Sequence, residues 1–150
     1  MENMTAGPAF EEPSQDEKAY AALAHALMMS TWWIGPLVIY IMKRKSRFVG
    51  FHSIQALLWQ GIYSGIYVLW IFVFFGLMFA YVVPAQRTNN SQFPVFPAAM
   101  FAAFGLFWLV MMAGLAISMI LGILFTLKAM RGEWAGYPVI GRWARRITGC

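Results

Sequence analysis

GIYSGIYVLWIFVFFGLMFAYVV, residues 61–83, contains no Asp, Glu, Lys or Arg. At about 1.5 Å of rise per residue it makes a helix of about 35 Å. That is enough to cross a hydrocarbon core of about 30 Å. A helix apolar all round has no face to turn to water, so lipid is its natural solvent. The composition carries the same message. Of the 150 residues, 61% are hydrophobic and 11% charged, against about 45–50% and about 25% in soluble domains.

Two more charge-free runs flank this one, at residues 20–42 and 98–127. The first is interrupted by Gly35-Pro36. A proline inside a helix removes a hydrogen bond and clashes with the preceding turn, so a kink is expected near residues 32–36. Ser14-Gln15-Asp16-Glu17 has the spacing of a capping box and should start the first helix. Residues 1–13 are acidic and contain Pro8 and Pro13, which reads as a flexible tail. With five acids and one base, residues 1–18 are the reverse of a signal peptide's positive start.

Residues 48–60 are only half apolar, and at helical spacing His52, Gln55, Trp59 and Tyr63 share one face. This stretch should lie at the interface or form the wet end of the second span. Residues 84–97, with three prolines and Asn89, Asn90 and Ser91, read as an exposed loop. Residues 139–147 set Val139, Ile140, Trp143 and Ile147 against Arg142, Arg145 and Arg146, the pattern of a short amphipathic helix at a membrane surface. The expected fold is therefore all-α. It is a single domain over residues 14–150, a bundle of three transmembrane helices at about 20–42, 61–83 and 98–127. An interfacial element precedes span two, and a short amphipathic helix follows span three.

Charge sets the orientation. Lys43, Arg44, Lys45, Arg47, Lys128, Arg131, Arg142, Arg145 and Arg146 flank the spans on one side, and Lys18 and Arg87 fall on the other. Basic loops stay cytoplasmic, so three crossings place the N-terminus outside and the C-terminus in the cytoplasm. The net charge of +5 is thus explained by topology, without a nucleic-acid partner.

Few residues carry chemistry. The three runs hold no intramembrane charge of the kind that proton relays and coupled carriers use. Ser30, Ser53, Ser64 and Ser118 lack an acidic or basic orienting group, so no hydrolytic triad is drawn. The single cysteine, Cys150, offers neither an internal disulfide nor a cysteine metal cluster. His25 and His52 fall near opposite ends of spans one and two, about 25 Å apart, too far to share a metal. Each is expected as a hydrogen-bonded interfacial histidine; the alternative is a single axial ligand to a pigment or haem. No catalytic residue and no resident cofactor or metal is expected.

Packing signals are clearer. Gly61 and Gly65 form a GxxxG step, Gly114, Ser118 and Gly122 repeat at spacing four, and so do Ala22, Ala26 and Ser30. Small residues on one face let helices approach closely in lipid. His52, Gln55 and Gln60 are the polar group expected to matter for packing or partner docking.

Three passages together resemble a known family: Leu23-Ala24-His25 with Ile34-Gly35-Pro36-Leu37-Val38-Ile39; Ser46-Arg47-Phe48-Val49-Gly50-Phe51-His52-Ser53-Ile54-Gln55-Ala56-Leu57 with Gln60; and Lys128-Ala129 with Gly132-Glu133-Trp134 and Tyr137-Pro138. This pattern is similar to bacterial multi-pass membrane proteins related to the twenty-kilodalton subunit of the chloroplast inner-envelope protein translocon. The resemblance implies a compact helical membrane domain in the bacterial inner membrane or a membrane derived from it. The residues favour a non-catalytic accessory or scaffold subunit, packed among other membrane subunits in the lipid bilayer. A translocon-like or channel-forming protein is the second expectation, and a pigment- or haem-binding helper the third.

Overall fold

The computed structural model describes residues 12–87, 98–138 and 140–149. Most of the tail expected at 1–13 and of the loop expected at 84–97 lies outside these residues. Five α-helices and no strand occur among them: α1 (Gln15–Thr31), α2 (Ile34–Met42), α3 (Arg47–Arg87), α4 (Ala98–Met130) and α5 (Ile140–Thr148). The chain forms two compact units. One comprises Met1–Leu58 and Gly122–Cys150, the other Trp59–Leu121.

The capping box forms as its spacing requires. The Ser14 N–H donates to Glu17 Oε2 at 2.9 Å, and the Glu17 N–H donates to Ser14 Oγ at 3.2 Å. Glu17 does more than close this box. The Ser46 hydroxyl donates to Glu17 Oε1 at 2.6 Å while accepting the Val49 N–H at 3.2 Å. One carboxylate thus ties the start of α1 to the start of α3. The Ser46 hydrogen bond, followed by that of the Ser14 N–H, holds the Glu17 carboxyl below its ordinary value.

Residues 20–42 do not form the single helix expected of the first span. Trp32 has φ 60°, a backbone region bulky residues rarely enter, and there the chain reverses. Pro36 falls in the first turn of α2, where a missing N–H costs nothing because that donor has no helical partner. The proline expected to kink one helix instead sits at the start of the next. α1 and α2 run antiparallel. The Lys43 ammonium lies 4.4 Å from the centroid of the Tyr20 ring, and Ala24 packs with Ile39 and Val49. A Cβ on Gly35 would overlap Leu27 and Thr31, so only glycine permits this close return. Residues 20–42 therefore end on the side where they began. Among the described residues two helices, against the three expected, are long and apolar enough to cross a membrane, over Arg47–Ala80 and Met100–Met130. The expectation of an outside N-terminus assumed that residues 20–42 cross as one helix.

α3 begins at Arg47 and continues through Pro84. The half-polar stretch 48–60 is thus the opening of the same long helix. In the first unit, α1 packs along the end of α4 through small residues. Ala21, Ala22, Phe48 and Ala129 form one buried cluster against Trp134. The Thr126 hydroxyl lies 3.5 Å from the Ala22 carbonyl, and a Cβ on Gly122 would meet Met29 Sδ at 3.0 Å. In the second unit, Trp59 Nε1–H donates to Ser118 Oγ at 2.8 Å and the Tyr63 hydroxyl to the Met111 carbonyl at 3.2 Å.

Candidate functional site

The first unit encloses a polar centre. His25, His52 and Gln55 are each fully buried, and Tyr137 nearly so. α1 supplies His25 on the face that also buries Ala21, Ala22, Ala24 and Met28. α3 supplies His52 and Gln55, three residues and so about one turn apart. The segment after α4 supplies Tyr137 and the backbone of residues 133–137.

His25 Nε2 lies 3.1 Å from His52 Nδ1. His52 Nε2 lies 3.2 Å from the Glu133 carbonyl oxygen, and the Tyr137 hydroxyl 3.3 Å from His25 Nδ1. One fixed point orders these contacts. A carbonyl oxygen can only accept, so His52 Nε2 carries the proton that it donates to Glu133. In the neutral ring Nδ1 then has a lone pair and accepts from His25 Nε2–H. His25 Nδ1 accepts in turn from the Tyr137 hydroxyl. Burial raises the Tyr137 phenol above its ordinary value, so it stays protonated and able to donate. The chain runs one way: Tyr137 to His25 to His52 to Glu133.

Gln55 completes the centre. Its Nε2–H donates to the Ala135 carbonyl at 3.3 Å, and its Oε1 accepts the Tyr137 N–H at 2.7 Å. The side-chain amide therefore stands in for a peptide group, pairing with the loop as a neighbouring strand would. Three main-chain groups of residues 133–137 are paired by two side chains on α3. Gly136 and Gly141 pass closely enough that a Cβ on Gly141 would lie 2.8 Å from Gly136 Cα. Aromatic rings wall the centre: Phe48 and Phe51 stand edge-on to His52 with centroids at 4.7 and 5.3 Å, and Phe125 lies 4.0 Å from Tyr137.

The estimate of about 25 Å between the two histidines is corrected by this geometry. It assumed that residues 20–42 cross the membrane in one pass. Because they turn back, His25 stays at the level of His52 and the rings touch. All four ring nitrogens are engaged, so either histidine would have to leave this chain to ligate a haem iron. Among the described residues no group of three or more His, Cys, Asp or Glu is placed to hold a metal ion.

Other residues singled out from the sequence fall elsewhere. Gln60 is buried in the second unit, where its main-chain carbonyl accepts the Ser64 hydroxyl at 2.6 Å. Gly61 and Gly65 face open space, whereas Gly114 receives the Tyr63 ring. Gly114 and Ser118 form a groove filled by Tyr63 and Trp59, and Gly122 faces Met28 and Met29. Ala22 is buried, but Ser30 is exposed and Ala26 intermediate, so the third small-residue stripe follows Ala21, Ala24 and Met28 instead. Tyr137 and the carbonyls of Glu133 and Ala135 were not anticipated as partners. The signal was the dipeptide Tyr137-Pro138 just ahead of an amphipathic stretch.

Residues 16–144 match the model of the magnetosome magnetite crystal formation protein family, MamF_MmsF. The chain belongs to this family. The match covers His25, His52, Gln55 and Tyr137, and it overturns the resemblance to translocon-related proteins; no such relation is supported. No curated protein and no solved structure matches the chain. The MamF_MmsF assignment and the two long apolar helices together mark a membrane protein of the magnetosome system.

Proposed function

We propose that the chain is a non-catalytic component of the magnetosome membrane that supports magnetite crystal formation as a scaffold among other membrane subunits. The observation that carries this reading is the family match over residues 16–144. The centre supports it. The ring nitrogens of His25 and His52, both side-chain heteroatoms of Gln55 and the Tyr137 hydroxyl all bond within the chain. What they build is a closure of the 133–137 loop. The sequence argues in the same direction. Residues 88–97, which join the two long helices, contain no Asp, Glu, His or Cys, the side chains that hold iron at a protein surface. An effect on the mineral then passes through the organisation of the membrane and its other proteins.

The test is genetic. In a magnetosome-forming host, removal of the chain should change crystal size or shape in electron micrographs, with restoration by the wild-type sequence. Crystals indistinguishable from those of the parent strain would overturn the reading. Isolated protein with measurable turnover or tight iron binding would count against its non-catalytic part.

A further inference from the structure

We infer that α1 and α2 form a half-way hairpin seated among the acyl chains of a single leaflet, the cytoplasmic one, without crossing the bilayer. The direction comes from packing within the first unit. Lys18 lies against Gly132, Ala22 against Thr126 and Met29 against Gly122. α1 therefore runs antiparallel to α4 along the final part of a membrane-crossing helix, from its basic end inward. α2 returns to the same end, where Ser46 bonds Glu17. α1 has 17 residues and α2 nine, about 25 and 13 Å, each short of a hydrocarbon core of about 30 Å.

The exposed surface identifies what covers it. Residues 19–42 contain no Asp, Glu, Lys or Arg. At and near the turn Trp32, Trp33, Ile34 and Val38 are 41–55% exposed. The charges sit at the feet, with Asp16, Glu17 and Lys18 before the hairpin, Lys18 paired with Glu12 at 3.1 Å, and Lys43, Arg44 and Lys45 after it. An apolar tip above charged feet, the α2 foot cationic, beside an apolar helix, complements a leaflet of acyl chains under anionic headgroups. Basic residues mark the cytoplasmic face, so the feet, the described start of the chain at Glu12 and the α4 end all belong there.

Full-length protein in native vesicles and nanodiscs tests this, starting from Cys150→Ser. Single cysteines are introduced as Asn3→Cys, Lys45→Cys and Asn90→Cys and labelled with a membrane-impermeant maleimide. Asn3→Cys and Lys45→Cys should label from the same side and Asn90→Cys from the other. Asn3→Cys labelling with Asn90→Cys would show a through-going span and overturn the inference. Nitroxides at Ile34→Cys and Val38→Cys then report what covers the tip. Oxygen should collide with them more often than a nickel chelate does, and the order should reverse at Lys45→Cys. Nickel dominance at the tip, meaning water, or exclusion of both colliders, meaning a protein cover, would each overturn it. Neither readout depends on crystal formation, so this inference can fail while the proposed function stands.

Discussion

At the residue scale, Gln55 does the most specific work. Its amide both donates to and accepts from the 133–137 loop. Gln55→Leu keeps roughly the volume and removes both bonds, one to the part-buried Ala135 carbonyl and one from the buried Tyr137 N–H. At about 1–3 kcal/mol for each unsatisfied group, the loss should be about 2–6 kcal/mol, read as a lower midpoint in detergent-denaturant unfolding. Tyr137→Phe removes a single donor and should cost about 1–2 kcal/mol by the same measurement. The order of protons has its own test. Nitrogen NMR of ring-labelled protein should find both histidines as Nε2–H tautomers, because the Glu133 carbonyl fixes the first and the first fixes the second. A Nδ1–H signal from either ring would break the chain as assigned.

At the element scale, the hairpin depends on features that the sequence held but did not rank. Gly35-Pro36 was legible as an interruption, and the capping box as a helix start. What was not legible is how far the chain turns, because a kink and a reversal use the same residues. Deciding between them takes the tertiary contacts of Gly35 with Leu27 and of Glu17 with Ser46, which link positions far apart in sequence. That one uncertainty sets His25 far from His52 and Gln55, which share a face of α3. Glycines separate in the same way. Gly35→Ala should destabilise by about 1–3 kcal/mol through overlap with Leu27 and Thr31. Gly65→Ala meets nothing within 4 Å and should be neutral or stabilising by up to about 1 kcal/mol from helix propensity. The tie between α1 and α3 adds a pH dependence. The Glu17 carboxyl is lowered in the folded chain, so its contribution is complete above its ordinary value of 4.5 and is lost as the pH falls through the lower folded value. Wild type should therefore melt above Glu17→Gln at neutral pH, and the gap should close in acid.

At the scale of the whole molecule, the distribution of charge is more informative than its sum. All six acids are Glu2, Glu11, Glu12, Asp16, Glu17 and Glu133, and ten of the eleven bases lie at or near the same ends of the helices. The segment at the opposite ends, residues 88–97, carries only Thr, Asn, Ser and Gln as polar side chains. Hard iron cations bind carboxylates, and softer ferrous sites add imidazole or thiolate; this segment offers none. A protein that shaped crystals by gripping iron would place such ligands on the mineral side. One that organises the membrane would invest instead in a rigid unit such as the one where the histidines, Gln55 and Tyr137 converge. The two schemes separate experimentally. Replacing Asn89, Asn90 and Gln92 together by alanine should leave crystal dimensions unchanged in a complemented deletion strain. Gln55→Leu, compared at matched membrane abundance, should shift them toward the deletion phenotype. The reverse pattern, with crystals altered by the alanine triple and indifferent to Gln55→Leu, would move the working surface to the 88–97 side and remove the scaffold reading.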